Sequence, residues 1–173
     1  NLSLIVRNSK FGLGSAHKRI FHFAKIHKYD ALITMDADFS HPPNLINEFI
    51  KQNDHNTFIM GSRYTKGGST DYVGYRKYVS IIGNYISRKL LKIPSYELTT
   101  SYRLFPKIIL DSLNLSQIKS DGYAFFIEVL KIIHLKSFKI KEIPFHFSDR
   151  KTNISKIPKI QIIYSILRLL QLT

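Results

Sequence analysis

The stretch Ala31-Leu32-Ile33-Thr34-Met35-Asp36-Ala37-Asp38-Phe39-Ser40-His41-Pro42-Pro43 constrains this chain more than any other. Ala31 to Met35 has the length and composition of a short buried strand. Pro42 suits the first turn of a following helix, where a missing N–H costs nothing. Asp36 and Asp38 then stand at the carboxyl end of a strand expected to be parallel, which is the edge where open α/β sheets bind ligands. Two hard oxygen ligands there suit a divalent cation, and Mg²⁺ or Mn²⁺ typically takes one or two carboxylates plus substrate phosphates. Taken alone, the stretch reads equally well as a capping or loop pair of aspartates. The rest of the chain has to decide.

A chain of 173 residues, 44% hydrophobic and 22% charged, fits one globular domain with a real core. The absence of cysteine excludes disulfides, thiolate zinc sites and a cysteine nucleophile. No signal-peptide pattern opens the chain, and no uninterrupted apolar run approaches a membrane span. Charge is lopsided: 26 Lys and Arg face 12 Asp and Glu, for a net +14. Arg7, Lys10, Lys18, Arg19, Lys25 and Lys28 all precede the first acid, Asp30. Such a balance favours a polyanionic partner, either nucleic acid, an anionic membrane or phosphorylated substrates, with compositional bias as the plain alternative. The basic residues are not interleaved with aromatics on a sheet face, and no nucleic-acid module is recognisable, so no nucleic-acid partner is expected.

Leu2 to Val6 reads as a strand, and Phe11 to Ser15 as a turn into a helix with Ala16, Ile20, Phe23 and Ala24 on its inner face. Gly12 and Gly14 at that helix start could cradle a phosphate or simply make the turn. His17, His22 and His27, spaced by five, read as surface or interfacial residues. A short helix over 44–51 precedes a strand at 57–60, which runs into Gly61-Ser62-Arg63-Tyr64. Thr65 to Gly74 reads as a mobile loop. The helix over 76–91 is expected to bury Val79, Ile82, Ile86 and Leu90, with Arg76 and Ser80 sharing a face at its start. Glu97 to Phe105 is a polar loop ending in a strand, and Pro106 opens a short helix. A further helix starts at Asp121-Gly122-Tyr123, with Glu128 off its apolar stripe. Phe138 to Phe147 alternates as a strand, and Pro144 marks an edge or bulge. Asp149 to Lys156 is a basic loop, and Pro158 to Leu172 is an amphipathic helix suited to core packing or a membrane interface.

Alternating strands and helices predict an α/β fold with a mostly parallel sheet and ligands at one edge. Three segments deliver cations to its polar loops: Arg63 with Arg76, Arg103, and Arg150 with Lys156. Set against the carboxylate pair, they suit a metal-bound diphosphate facing a second anionic group, stabilised electrostatically. No Ser-His-Asp order stands out, and no Walker-type lysine follows a glycine loop.

These residues, in this order, resemble the polyprenyl-phosphate glycosyltransferases. The series is Gly12 to Ala16, Met35 to Pro42, Gly61 to Tyr64, Arg76 to Ser80, Leu98 to Arg103, Gly122-Tyr123 with Glu128, and Arg150 with Ser155-Lys156. It is most similar to the catalytic subunits of dolichyl-phosphate mannosyltransferases, in family 2 of the inverting glycosyltransferases, and it spans nearly the whole chain.

The resemblance implies a GT-A (nucleotide-diphospho-sugar transferase, Rossmann-like) fold. It also implies transfer of mannose from GDP-mannose to the phosphate of a polyprenol such as dolichyl phosphate, with Mg²⁺ or Mn²⁺. On this analogy Asp36 and Asp38 hold the metal and the donor, Asp38 more directly, and Ser40 adds a metal or water contact. Arg63, Arg76 and Ser80 bind the acceptor phosphate, while Arg103, Arg150 and Lys156 clamp the donor diphosphate. Asp36, Asp38, Arg63 and Arg103 form the catalytic set. His41 reads as a hydrogen-bonded loop residue rather than a base. The implied setting is the cytoplasmic face of a membrane (endoplasmic reticulum or plasma membrane), with a small membrane-spanning subunit as a possible partner. Residues 1–157 would be the catalytic domain and 158–173 the C-terminal helix.

Some features depart from the family pattern. The chain starts at what would be the third strand of the nucleotide-binding half, so an N-terminally truncated domain is expected. Glu97 stands where Asp is usual, and Asn153 where Gly is usual. Rival readings are a sister transferase moving glucose or another sugar from a UDP donor to undecaprenyl phosphate, and a non-catalytic remnant that binds membrane or a partner.

Overall fold

The computed structural model describes residues 2–149 and Gln171. The apolar run at Ala31 forms β1 (Ala31–Thr34), preceded by α1 (Leu13–Ile26) and followed by α2 (Leu45–Lys51). Then come β2 (Thr57–Ser62), β3 (Ser69–Thr70), α3 (Gly74–Leu91), β4 (Arg103–Pro106), α4 (Lys107–Ser112), α5 (Gly122–Leu135), β5 (Lys139–Pro144) and β6 (His146–Phe147). The basic loop with Arg150 and Lys156, and the helix expected over Pro158 to Leu172, lie outside the described residues.

The main sheet has the order β1-β4-β2-β5. β2 and β5 are parallel, whereas β4 runs antiparallel to both β1 and β2. The expectation of a mostly parallel sheet is therefore corrected to a mixed one, in which a reversed β4 separates two strands that point the same way. β4 leads straight into α4 through Pro106, and its amino end, not its carboxyl end, lies beside the carboxyl ends of β1 and β2.

Side chains alternate across this sheet. Phe58, Met60 and Phe105 face a large core with Phe21 of α1, Ile109 and Leu110 of α4, and Phe125, Val129 and Leu130 of α5. Ile59, Leu104 and Tyr102 face a smaller core with Phe49 of α2 and Ile143. Helices thus cover both faces, as α/β layering requires.

Four readings of the sequence are corrected here. Leu2 to Val6 pairs with no strand among the described residues and is exposed, because a strand without a hydrogen-bonded neighbour has no ladder to hold it. In α1 the inward residues are Gly14, His17, Phe21 and Ala24, so His17 is a core residue and Ile20 is not. In α3 the buried residues are Asn84, Ser87 and Leu91, while Val79, Ile82, Ile86 and Leu90 are exposed. The segment after Thr65 contains β3, which pairs with β6 and is tied to the body by Ser69 N–H donating to Phe145 O at 3.1 Å. The expected break at Pro144 is real: β5 ends there, and the chain leaves the main sheet to pair with β3.

Gly12 and Gly14 are explained by a carboxylate of the protein itself. Asp121, at the start of α5, accepts a hydrogen bond from Gly14 N–H, and a Cβ at Gly12 would collide with it. The anion at the amino end of α1 is thus Asp121, where a helix dipole favours negative charge. Glu128 also turns inward, accepting from Ser120 N–H at 2.7 Å and fixing the loop that carries Asp121.

His17 packs between the rings of Phe125 and Phe126, with centroids 5.4 and 5.0 Å away, and its Nδ1 has no hydrogen-bond partner. Burial lowers its pKa from 6.5 to about 4, Arg103 adding to the effect and Asp36 opposing it. Between those values the unfolded chain binds a proton that the folded chain refuses. The stability contributed by a neutral His17 is therefore complete above pH 6.5 and lost as pH falls to about 4, a change of roughly 3 kcal/mol. In chemical denaturation at pH 7 and pH 4, His17→Phe should show a drop in stability smaller than wild type by about that amount. Equal drops in the two proteins would refute the assignment.

Candidate active site

The carboxyl ends of β1 and β2 and the loop entering β4 meet at one edge of the sheet. Thr34 Oγ1 donates to Ser101 O at 2.6 Å, and Gly61 N–H donates to Tyr102 O at 2.9 Å. Ser101 Oγ then donates to Asp36 Oδ1 at 2.8 Å, fixing the first carboxylate. The second is fixed locally: Ser40 donates both its hydroxyl, at 2.6 Å, and its amide, at 3.1 Å, to Asp38 Oδ1. Phe39, between them, takes a left-handed φ of 64° with an exposed ring. A bulky residue holds that conformation only against a cost of order 1–3 kcal/mol, of the kind that concentrates at functional sites.

His41 lies beneath this turn. Its Nδ1 accepts from Asp36 N–H at 2.9 Å, and its ring stacks on Tyr102 at 4.8 Å. Tyr102 in turn donates its hydroxyl to Pro42 O at 2.8 Å. Burial lowers the His41 pKa, with Asp36 opposing, so the imidazole is neutral with its proton on Nε2. It is a strut of the loop, in line with the reading from sequence.

Arg63 and Arg76 both approach the ring of Tyr72, the Arg63 guanidinium at 5.6 Å from its centre and Arg76 at 4.6 Å. Arg63 is buried and binds Glu97 with two parallel hydrogen bonds, Nε at 2.7 Å and Nη2 at 2.9 Å. Burial opposes its charge, but the Glu97 carboxylate more than offsets this, and the Arg63 pKa is raised. By the same pairing the Glu97 pKa is lowered in spite of complete burial. Thr99 supplies its amide and hydroxyl to Glu97, and Glu142 accepts the amides of Tyr96 and Glu97. Arg76 pairs with Asp149 at 2.9 Å, and Ser80 accepts the Tyr64 hydroxyl at 2.6 Å.

Arg103 is placed differently from expectation. As the first residue of the strand between β1 and β2 it lies opposite both Thr34 and Met60, fully buried. Its guanidinium donates to the carbonyls of Thr100, Phe126 and Leu98 at 2.8, 2.9 and 2.8 Å. Burial pulls its pKa down to about 9, with Glu97 opposing. In this structure Arg103 braces the loop and does not face a donor. Ser40 likewise spends its hydroxyl on Asp38. Glu97, Tyr72, Ser101 and Asn84, which donates to Ser80 O and accepts from Leu98 N–H, were not singled out as site residues from sequence. Glu97 and Ser101 stand at motif positions, whereas Tyr72 and Asn84 gave no signal.

Among the described residues no group of three or more His, Asp or Glu could hold a metal ion. The donor set at this edge is a pair of carboxylates. That fits Mg²⁺ or Mn²⁺, which keeps waters and substrate phosphates among its ligands, and does not fit a structural zinc. Nor is any described helix long and apolar enough to cross a membrane.

The model of glycosyl transferase family 2 matches residues 1–113, and the chain belongs to that family. It is 33% identical over 153 residues to a polyprenol monophosphomannose synthase of Mycolicibacterium smegmatis, covering 87% of this chain and 58% of the relative. It is 28% identical over 158 residues to an undecaprenyl-phosphate mannosyltransferase of Micrococcus luteus, covering 91% and 65%. The chain thus spans about three fifths of the length of these relatives. Among solved structures it is similar to glucosyl-3-phosphoglycerate synthase from Mycobacterium tuberculosis in complex with UDP. That match has a TM-score of 0.57 and 15% identity over 94% of this chain and 55% of that one, a likeness of GT-A fold.

The buried Arg63–Glu97 pair makes a direct prediction. Removing one partner strands the other as an uncompensated buried charge, so Glu97→Ala should cost about 3–5 kcal/mol in urea denaturation. A loss within 1 kcal/mol would show that the pair is not buried as described.

Proposed function

We propose that this protein transfers mannose from GDP-mannose to the phosphate of a polyprenol, with inversion and with Mg²⁺ or Mn²⁺, at a membrane surface. The observation that carries the reading is the placement of the Asp36–Asp38 carboxylate corner and the Arg63–Tyr72–Arg76 cation cluster at one edge of the sheet. The kinship with two mannosyltransferases acting on polyprenyl carriers supports it.

The chemistry asks little of a base. A phosphate monoester loses its second proton near pH 6, so the acceptor is largely a dianion at neutral pH. One acceptor oxygen attacks the anomeric carbon as the bond to the donor diphosphate breaks on the opposite face, which inverts the centre and releases the nucleoside diphosphate. The main obstacle is bringing two anions together, and the residues act by positioning and charge. Asp36 and Asp38 would hold the cation, which when bound neutralises the leaving diphosphate. Arg63, Arg76 and Ser80 hold the acceptor phosphate. Arg103 acts as a positioning residue through the 98–100 carbonyls, and Arg150 and Lys156 are assigned to the donor diphosphate. Asp38→Asn should lower transfer from radiolabelled GDP-mannose to a polyprenyl phosphate by at least about 100-fold, while UDP-glucose should be a poor donor. Transfer unaffected by Asp38→Asn, or a clear preference for UDP-glucose, would overturn this assignment.

The membrane setting is supported by the outward face of α3. Tyr78, Ile82 and Ile86 are 66, 54 and 44% exposed, alongside Tyr75, Val79, Tyr85 and Leu90. Lys77, Arg88, Lys89 and Lys92 lie among them or beside them in sequence. Apolar and aromatic residues bordered by cations suit the interface of an anionic bilayer. Flotation with phosphatidylglycerol vesicles should retain the wild type, and Ile82→Glu with Ile86→Glu should release most of it. Undiminished retention would remove α3 from the membrane contact.

A further inference from the structure

The two arginines assigned to the acceptor phosphate each hold a carboxylate, but under opposite conditions. Glu97 grips Arg63 through two hydrogen bonds, is itself fully buried, and is fixed by Thr99 and by the Glu142 contact to its own amide. Asp149 Oδ2 accepts from Arg76 Nη1 at 2.9 Å, and the Arg76 and Asp149 side chains are 40 and 41% exposed. A buried bidentate pair of the first kind is expensive to open, whereas exposed pairs of the second kind contribute only about 0.2–1 kcal/mol. An incoming phosphate can therefore replace Asp149 and cannot replace Glu97.

Asp149 is also held at that spot by deliberate-looking geometry. Its amide donates to Asp71 Oδ2 at 3.2 Å, and Asp71 Oδ1 is bridged by His146 Nε2 at 3.1 Å. His146 Nδ1 lies 2.8 Å from Ser69 Oγ, and Asp71 N–H donates to Phe147 O at 3.0 Å. The β3–β6 pair therefore carries Asp149 to the first turn of α3 and sets its carboxylate on Arg76. Tyr72 orients that guanidinium by stacking.

Resting on the acceptor-site reading above, we propose that Asp149 is a placeholder for the acceptor phosphate. It keeps Arg76 oriented and charge-paired before the lipid arrives, and the phosphate dianion takes its place on binding. Asp149 is a positioning residue on this account, and its negative charge competes with the ligand.

The test is a titration of the chain with farnesyl phosphate, with farnesol as the control lacking a phosphate. Asp149→Asn keeps the shape and the amide but removes the competing charge, and should tighten farnesyl phosphate binding by roughly 2- to 5-fold. Arg76→Ala should weaken binding by about 10-fold or more, and adding Asp149→Asn to Arg76→Ala should bring no gain. Farnesol binding should be the same in all variants. A purely structural role would make Asp149→Asn weaken binding or leave it unchanged, and either result overturns the placeholder while the Arg76→Ala loss upholds the acceptor site. If Arg76→Ala leaves binding unchanged, the acceptor-site reading itself fails. Should Asp149→Asn unfold, Asp149→Ser replaces it, with a melting curve as the check.

Discussion

The site depends on one buried cation. Arg103 sits in a central strand with no exposure and donates to three main-chain carbonyls, those of Leu98, Thr100 and Phe126. A guanidinium in that position is costly unless its donors are met, and backbone carbonyls meet them with no second charge required. The consequence is a loop of fixed shape. From that loop Ser101 holds Asp36, Glu97 holds Arg63, and Leu98 N–H is received by Asn84 of α3. The carboxylate corner and the cation cluster are thus two ends of one braced segment. Displacement of Arg103 would move both.

The charge distribution has the same economy. Arg103, Arg63 and Arg76 each have a partner near this edge, and the partners differ in burial: carbonyls for Arg103, a buried carboxylate for Arg63, and an exposed carboxylate for Arg76. Only the last is open to solvent. Neutral His41 and His17 fill structural places between aromatic rings and carry no charge at neutral pH. Near this edge the described residues offer fixed positive charge on arginines and no charged imidazole at His41 or His17.

Much of the architecture was legible in the residues. The strand before Asp36, the helix after Pro42, the strand running into Arg63 and the break at Pro144 all appear where local pattern placed them, because each is marked by a strong short-range signal. The reversal of β4 was not legible, since strand direction is set by connections between distant elements. The faces of α1 and α3 were also misread. Both helices carry two periodic stripes, and periodicity alone does not say which one meets the core. In α3 the inward stripe is polar, with Asn84 engaged by the 98–101 loop, and this leaves the apolar stripe outside.

For the site, the sequence by itself determined the chemistry on offer: two carboxylates at a strand end, and an excess of arginines on polar loops downstream. Tertiary structure alone decided how those arginines are buried and partnered. Arg103 and Arg63 are of one residue type and both follow motif-like segments, yet one is sealed between two strands and the other pairs with a carboxylate 34 positions away in the chain. Residue type fixes what a side chain can do. Burial and partners, which arise only when distant segments pack, fix whether it does so.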